Sequence, residues 1–310
     1  MAMNLKGRSL LSLTDLSYEE IHHILDTAGH LKMLKKAGQP HQWLSGKTLG
    51  MIFEKPSTRT RVSFEVGMWQ LGGYALYLNP NDLQLGRGET IADTARVLSR
   101  FVDGIMARTY AHKTLEDLAR YCTIPVINGL SDYEHPCQIL GDLLTIQEKK
   151  GDLHGLKLAY VGDGNNVAHS LIFGAVLVGM DIAIAVPEGY EPLEQVLELA
   201  AGLPSPRKCS VQVVGDPAEA AQGADALYTD VWTSMGQEKE KQERLEAFSG
   251  FQMNDLLVQK AKKDVIVLHC LPAHRGEEIT DSVMDGPRSV VWDQAENRLH
   301  IQKAIMALTM

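Results

Sequence analysis

Short apolar runs alternate with amphipathic stretches along the whole chain. The runs fall at residues 49–53, 74–78, 104–108 and 125–128 in the first half, and at 158–161, 182–186, 211–214, 226–229, 265–269 and 290–292 in the second. Each is of strand length and apolar at nearly every position, the pattern of a strand buried on both faces. Apolar residues recur at helical spacing between nearly all of them. This β-α-β-α rhythm predicts an α/β fold of parallel sheets covered by helices on both faces. The polar segment 147–155, with Glu148, Lys149, Lys150, Gly151 and Asp152, marks a boundary. Two domains are expected, 1–150 and 151–294, each with its own sheet. Residues 136–150 read as one helix that bridges them, and a last helix is expected over 295–309.

Ligands of open α/β sheets bind beyond the carboxyl ends of strands. The distinctive polar residues of this chain follow predicted strands: Ser57 to Thr60, Arg108, the segment 131–138, Asn165 and Asn166, the segment 230–236, and Cys270. A single cleft between two domains would collect them. The most telling stretch is Phe53-Glu54-Lys55-Pro56-Ser57-Thr58-Arg59-Thr60-Arg61. Val62, Val66 and Trp69 then recur at helical spacing, so a helix begins near Ser57, capped by Ser57 or Thr58. Two hydroxyls, the guanidiniums of Arg59 and Arg61 and a positive helix end would converge there, which predicts a site for a multiply charged anion such as phosphate. A capped helix with solvated arginines is the weaker reading, because arginine in a first turn opposes the helix dipole.

Composition narrows the class. A chain of 310 residues is ample for two domains, and 45% apolar with 22% charged residues describes a globular protein. A net charge of −9 argues against a general nucleic-acid binder and leaves room for a local basic site. No apolar run is long enough to span a bilayer, and the N-terminus, with Lys6 and Arg8, lacks the apolar core of a secretory signal. Cys122, Cys137, Cys209 and Cys270 show no paired spacing. That predicts a reducing compartment, the cytoplasm or an organelle matrix if a transit peptide has been removed. Neither Cys270 with His274 nor His135 with Cys137 makes a zinc pattern.

The run Ser57 to Arg61 resembles the Ser-Thr-Arg-Thr-Arg signature of the aspartate/ornithine carbamoyltransferase family. His135-Pro136-Cys137-Gln138 resembles that family's His-Pro-x-Gln motif. Asp230-Val231-Trp232-Thr233-Ser234-Met235-Gly236 and His269-Cys270-Leu271-Pro272 are similar to motifs of its ornithine branch, in the same order over nearly the whole chain. The resemblance implies carbamoyl transfer from carbamoyl phosphate to the δ-amine of L-ornithine, giving L-citrulline and phosphate in arginine metabolism, with no cofactor and no metal. It implies that Ser57, Thr58, Arg59 and Thr60 bind the phosphate, with Arg108 bridging phosphate and carbonyl. His135 would donate to the carbonyl oxygen. Gln138 and the carbonyl of Leu271, ahead of a cis proline, would read the carbamoyl NH₂, and Arg298 would touch the carbamoyl group. Asn166, Asp230, Ser234 and Met235 would hold the α-amino and α-carboxylate groups of ornithine. Cys270 would lie beside the carbamoyl group and the attacking amine, orienting it and helping Asp230 accept its proton, without attacking as a nucleophile. Gln84, in a loop over 79–89, would reach a neighbouring subunit's site, which implies a homotrimer or a multiple of trimers. The last helix, about 295–310, would return to the first, carbamoyl-phosphate-binding domain, leaving 151–294 to bind ornithine. Such catalysis rests on positioning and preorganised donors.

Other readings differ at nameable residues. A carbamoyltransferase for putrescine or an N-acylated ornithine would differ in the amino-acid pocket. A non-catalytic homologue acting as an assembly or regulatory subunit would show damage at Arg59, Arg108, His135, Gln138, Asp230 or Cys270, all of which are present. A nicotinamide dehydrogenase would use Gly162-Asp163-Gly164, but Val167 stands where the third glycine belongs and Asp163 would face a pyrophosphate.

Overall fold

The computed structural model describes residues 4–79, 88–234 and 236–310. The chain divides into two compact units, Met1–Gly141 with Asn297–Met310, and Asp142–Glu296.

In the first unit, strands β1 (Thr48–Phe53), β2 (Tyr74–Leu78), β3 (Gly104–Arg108) and β4 (Val126–Leu130) form one parallel sheet in the order β2-β1-β3-β4. β3 is buried throughout and β1 at all but its first residue. Ile52, Ile105, Ala107, Leu115, Leu118 and Val126 pack into one core, as their near-continuous apolar character requires. The chain passes from β1 to β2 on one side and then to β3 and β4 on the other. β1 and β3 are therefore neighbours whose onward connections leave in opposite directions. Such a switch point is where an open sheet offers its carboxyl ends to a ligand. The two ends are pinned together, because the N–H of Glu54 donates to the carbonyl of Arg108 at 2.8 Å.

The second unit repeats the logic with β5 (Lys157–Val161), β6 (Asp181–Ala185), β7 (Val211–Val214), β8 (Ala226–Thr229) and β9 (Ile266–His269), all parallel in the order β7-β6-β5-β8-β9. Ala159, Val161, Ala183, Leu227, Val267 and Ile279 sit in its core. Here the switch point lies between β5 and β8, at the ends of Val161 and Thr229.

The apolar run 290–292 is not a strand. Val291 opens the helix Val291–Thr309, and only Ser289 forms an isolated bridge, to Val267. Three apolar residues carry no period, so helix and strand could not be told apart there. The helix Thr58–Gln70 forms as expected but turns the other way: Val62 and Trp69 are exposed, Trp69 by 77%, while Thr60, Phe64, Gly67 and Met68 are buried. Among the described residues no helix is long and apolar enough to cross a membrane.

Candidate active-site residues

At the β1/β3 switch point of the first unit, Ser57 caps the helix Thr58–Gln70. Its backbone is extended (φ −160°, ψ 113°), and its Oγ accepts from the Thr60 N–H at 3.3 Å and donates to the Thr60 Oγ1 at 3.1 Å. No acidic residue occupies the first turn, so its positive end is left uncompensated by the helix itself. Thr60 is fully buried, and its Oγ1 accepts from Arg298 Nη2 at 2.7 Å, which brings Arg298 from the helix Val291–Thr309 to the cap. Arg108, the last residue of β3, is buried beside it and Arg59 is half-buried. Arg61 departs from expectation. It is exposed, pairs with Glu65 one turn on at 2.9 Å and lies over the Tyr77 ring. The phosphate-type cluster therefore has Arg59, Arg108 and Arg298 rather than Arg59 and Arg61.

After β4 the chain makes a tight turn in which the Ser131 Oγ accepts from the Tyr133 and Glu134 N–H groups. The next residues, His135 and Pro136, open the helix Pro136–Lys150, where proline suits the first turn. His135 and Gln138 lie one turn apart and are both buried, so they share a face. Burial, then the positive fields of Arg298, Arg108 and Arg59, hold the His135 imidazole well below the usual histidine range. A neutral imidazole among guanidiniums is a hydrogen-bond donor, not a proton source. The intervening Cys137 has its thiol pushed up to about 12 by burial and is chemically inert. Lys55, which the motif reading passed over, is held below the usual lysine range by burial and then by Arg108, which marks it as part of the same cationic field.

At the β5/β8 switch point of the second unit, Asp230 is buried and accepts three hydrogen bonds. Its Oδ1 takes the Cys270 thiol at 2.8 Å and the Val231 N–H at 2.8 Å, and its Oδ2 takes Asn165 Nδ2 at 3.1 Å. Asn165, rather than Asn166, is the cap of the helix Asn166–Val178, accepting from the Val167 and Ala168 N–H groups. Sequence reasoning named both asparagines after the strand and assigned only Asn166 to the amino-acid substrate. The signal for Asn165 was available, since a cap directly precedes the first helical residue. The Ser234 N–H donates to Gln237 Oε1 at 3.0 Å, which closes the loop after β8. The Leu271–Pro272 bond is cis and Leu271 has φ +60°. Its N–H donates to His269 Nδ1, and the other ring nitrogen, Nε2, lies 3.0 Å from Oε1 of buried Glu278, so the ring is held at both nitrogens. Gln84 and Met235 lie outside the described residues.

The Gly162-Asp163-Gly164 turn has a packing cause. A Cβ on Gly164 would stand 2.3 Å from the Pro192 nitrogen and 2.5 Å from the Tyr190 carbonyl oxygen, so only glycine fits. No dinucleotide is needed to explain it. Among the described residues two groups gather metal-type ligand atoms within 4.8 Å, Asp230 with His269 and Cys270, and His274 with Glu277 and Glu278. In the first group both His269 nitrogens are already hydrogen-bonded, and in the second Glu277 pairs with Lys241 at 2.9 Å. No disulfide joins the four cysteines.

Comparison with known proteins covers both clusters. Residues 8–148 match the family model described as the aspartate/ornithine carbamoyltransferase carbamoyl-P binding domain, and residues 154–309 match the Asp/Orn binding domain of the same family. The chain is 61% identical over 310 residues to the anabolic ornithine carbamoyltransferase of Pyrococcus furiosus, covering 100% of this chain and 98% of the relative. It is 60% identical over 304 residues to the ornithine carbamoyltransferase of Anoxybacillus flavithermus, covering 98% and 97%. Among solved structures, ornithine carbamoyltransferase from Pyrococcus furiosus superposes with a TM-score of 0.95 at 60% identity, covering 100% of this chain and 99% of that one. The enzyme from Giardia lamblia superposes with a TM-score of 0.86 at 34% identity, covering 97% of both. With the two matched domains spanning nearly its whole length, the chain belongs to the aspartate/ornithine carbamoyltransferase family.

Proposed function

We propose that this chain transfers the carbamoyl group of carbamoyl phosphate to the δ-amine of L-ornithine, producing L-citrulline and phosphate in the biosynthesis of arginine. The observation that carries the reading is a matched pair of polarities. The β1/β3 switch point of one unit presents a capped helix start with Arg59, Arg108 and Arg298, suited to a phosphate. The β5/β8 switch point of the other presents Asp230 as a carboxylate receiving three donors, suited to an ammonium group. Aspartate as the acceptor fits poorly, because it would require a cation for its second carboxylate. Arg244, a buried cation at this end of the second unit, is already committed to Asp163 and Glu240.

In the reaction so read, the neutral δ-amine attacks the carbonyl carbon. The new C–N bond forms, the C–O bond to phosphate breaks, and phosphate leaves with the bonding pair. Asp230, helped by Cys270, orients the nitrogen and accepts its proton, which then passes to solvent or the departing phosphate. Ser57, Thr58, Arg59 and Thr60 hold the phosphate, Arg108 spans phosphate and carbonyl, and neutral His135 donates to the developing oxyanion. Gln138, Leu271 and Arg298 fix the carbamoyl group. Asn166, Asp230, Ser234 and Met235 take the α-substituents of ornithine, and the hydrogen bond from Asn165 to Asp230 adds Asn165 to that set.

We extend the proposal to a homotrimer, or a multiple of trimers, in the cytoplasm. Support comes from apolar side chains left exposed on the first unit, Trp69 at 77% and Tyr74 at 64% on edge strand β2, and from the absence of disulfides. Sedimentation tests the assembly. The function is tested by a ureido colour assay with carbamoyl phosphate, offering ornithine, putrescine, N-acetylornithine and aspartate in parallel. Turnover with ornithine is expected. Turnover only with another amine would overturn the substrate assignment while keeping the phosphate site.

A further inference from the structure

In the second unit one arginine ties together the two loops that follow β5 and β8. Arg244, on the helix Lys241–Ala247, is buried. Its Nη1 donates to Asp163 Oδ2 at 2.9 Å and to the Trp232 carbonyl at 3.0 Å, and its Nε donates to Glu240 Oε2 at 3.0 Å. The guanidinium also lies 5.1 Å over the Tyr190 ring. Asp163 stands two residues before Asn165, and Trp232 two residues after Asp230. The Trp232 ring is stacked on Phe248 at 5.7 Å, so its backbone is held from both sides. Asn165 in turn donates to Asp230.

We infer that Arg244, through Asp163 and the Trp232 carbonyl, is a positioning residue that sets the 230–234 loop in register with Asn165 for the α-amino and α-carboxylate groups of the amino-acid substrate. This inference rests on reading that loop as the ornithine site. The physical reason is the cost of a buried, unpaired charge. Removing the guanidinium leaves the Asp163 carboxylate buried without its cation and frees the Trp232 carbonyl, so two of the loop's anchors are lost together. Burial already pushes Asp163 up to about 6 despite Arg244, so its ionised form at neutral pH depends on that partner.

The test compares the full enzyme with R244Q, R244K, D163N and the double variant R244Q/D163N, measuring kcat and KM for each substrate and binding of norvaline, which carries the α-groups of ornithine without its δ-amine. R244Q is expected to raise the ornithine KM and the norvaline Kd about tenfold or more, with the carbamoyl phosphate KM within about twofold of the parent. R244K should restore part of the loss, and the double variant should be no worse than R244Q alone. An unchanged ornithine KM in R244Q, or an equal rise in both KM values, would overturn the inference. Should R244Q fail to fold, D163N and R244K decide it by the same split. If the unaltered enzyme does not use ornithine, the proposed function fails. If it does and the variants keep their ornithine KM, only this inference fails.

Discussion

Replacing His135 by alanine should damage turnover and acid stability in separable ways. The imidazole is buried and surrounded by the fields of Arg298, Arg108 and Arg59, which keep it neutral. In the proposed reaction it donates to the carbonyl oxygen as negative charge develops there. Loss of one such donor removes about 2.7–4 kcal/mol of transition-state stabilisation, a fall of about 100- to 1,000-fold in kcat. The KM for carbamoyl phosphate should move far less, because the proposed phosphate contacts are those of Ser57, Thr58, Arg59, Thr60 and Arg108. The same depressed pKa predicts a pH effect on folding. Above pH 6.5 the imidazole is neutral in both folded and unfolded chains and contributes nothing. As pH falls below 6.5 the unfolded chain takes up a proton that the folded chain refuses, so stability is lost progressively until the depressed native pKa is reached. The variant should lack this increment. Steady-state citrulline formation gives the first quantity, and the parent-minus-variant difference in urea melts at pH 7 and pH 5 gives the second. Turnover of the variant within about tenfold of the parent would refute the donor role. An acid limb near pH 6.5 in the parent's kcat profile that vanishes in the variant would refute the neutral imidazole.

Three further substitutions probe separate links. Arg298→Met removes a buried charged donor from Thr60 and from the cationic cluster and should weaken carbamoyl phosphate binding by about 10- to 100-fold, read by calorimetry. Cys270→Ser keeps a donor to Asp230 and should retain measurable turnover, while the parent's intact mass stays unchanged after mixing with carbamoyl phosphate, since no carbamoyl-cysteine forms. Gly164→Ala forces a methyl group against the backbone of residues 190–192 and should destabilise the second unit by about 3 kcal/mol or more, seen as a lower melting temperature.

Much of the scaffold was legible because parallel strands are apolar at successive positions and helices are not. The runs that became β1 to β9 were readable to within about two residues, the ordinary reach of pattern reasoning. The helix Pro136–Lys150 carried its own start signal in Pro136. The failures have local causes. Residues 290–292 are too few to show a period. Val62, Val66 and Trp69 gave the correct period for the helix Thr58–Gln70 and the wrong side, because the face that packs inward is built from Thr60, Phe64, Gly67 and Met68, two of which are not apolar. A hydrophobic stripe reports a helix; it does not say whether the stripe meets its own core or another surface.

The site divides in the same way. Ser57 and Thr60 are neighbours in sequence, so their convergence at a helix start follows from capping chemistry alone, and Arg108, at a strand end, follows from the sheet. Arg298 lies 238 residues from Thr60, and nothing in its surroundings predicts the 2.7 Å contact. Only resemblance pointed to it. The pairing of Arg244 with Asp163, 81 residues away, was not found at all. The common cause is that a pairing of opposite charges across a fold leaves no period and no spacing. It also explains why the formal charge of −9 was uninformative about the chemistry. The overall sign counts side chains in water. What decides the chemistry is which few charges the sheet topology buries, and here the β1/β3 switch point buries guanidiniums beside a neutral imidazole, while the β5/β8 switch point buries a carboxylate. Reversing either polarity would leave the fold class almost untouched and remove the fit to one substrate, which is why specificity in this fold resides in the loops after the strands.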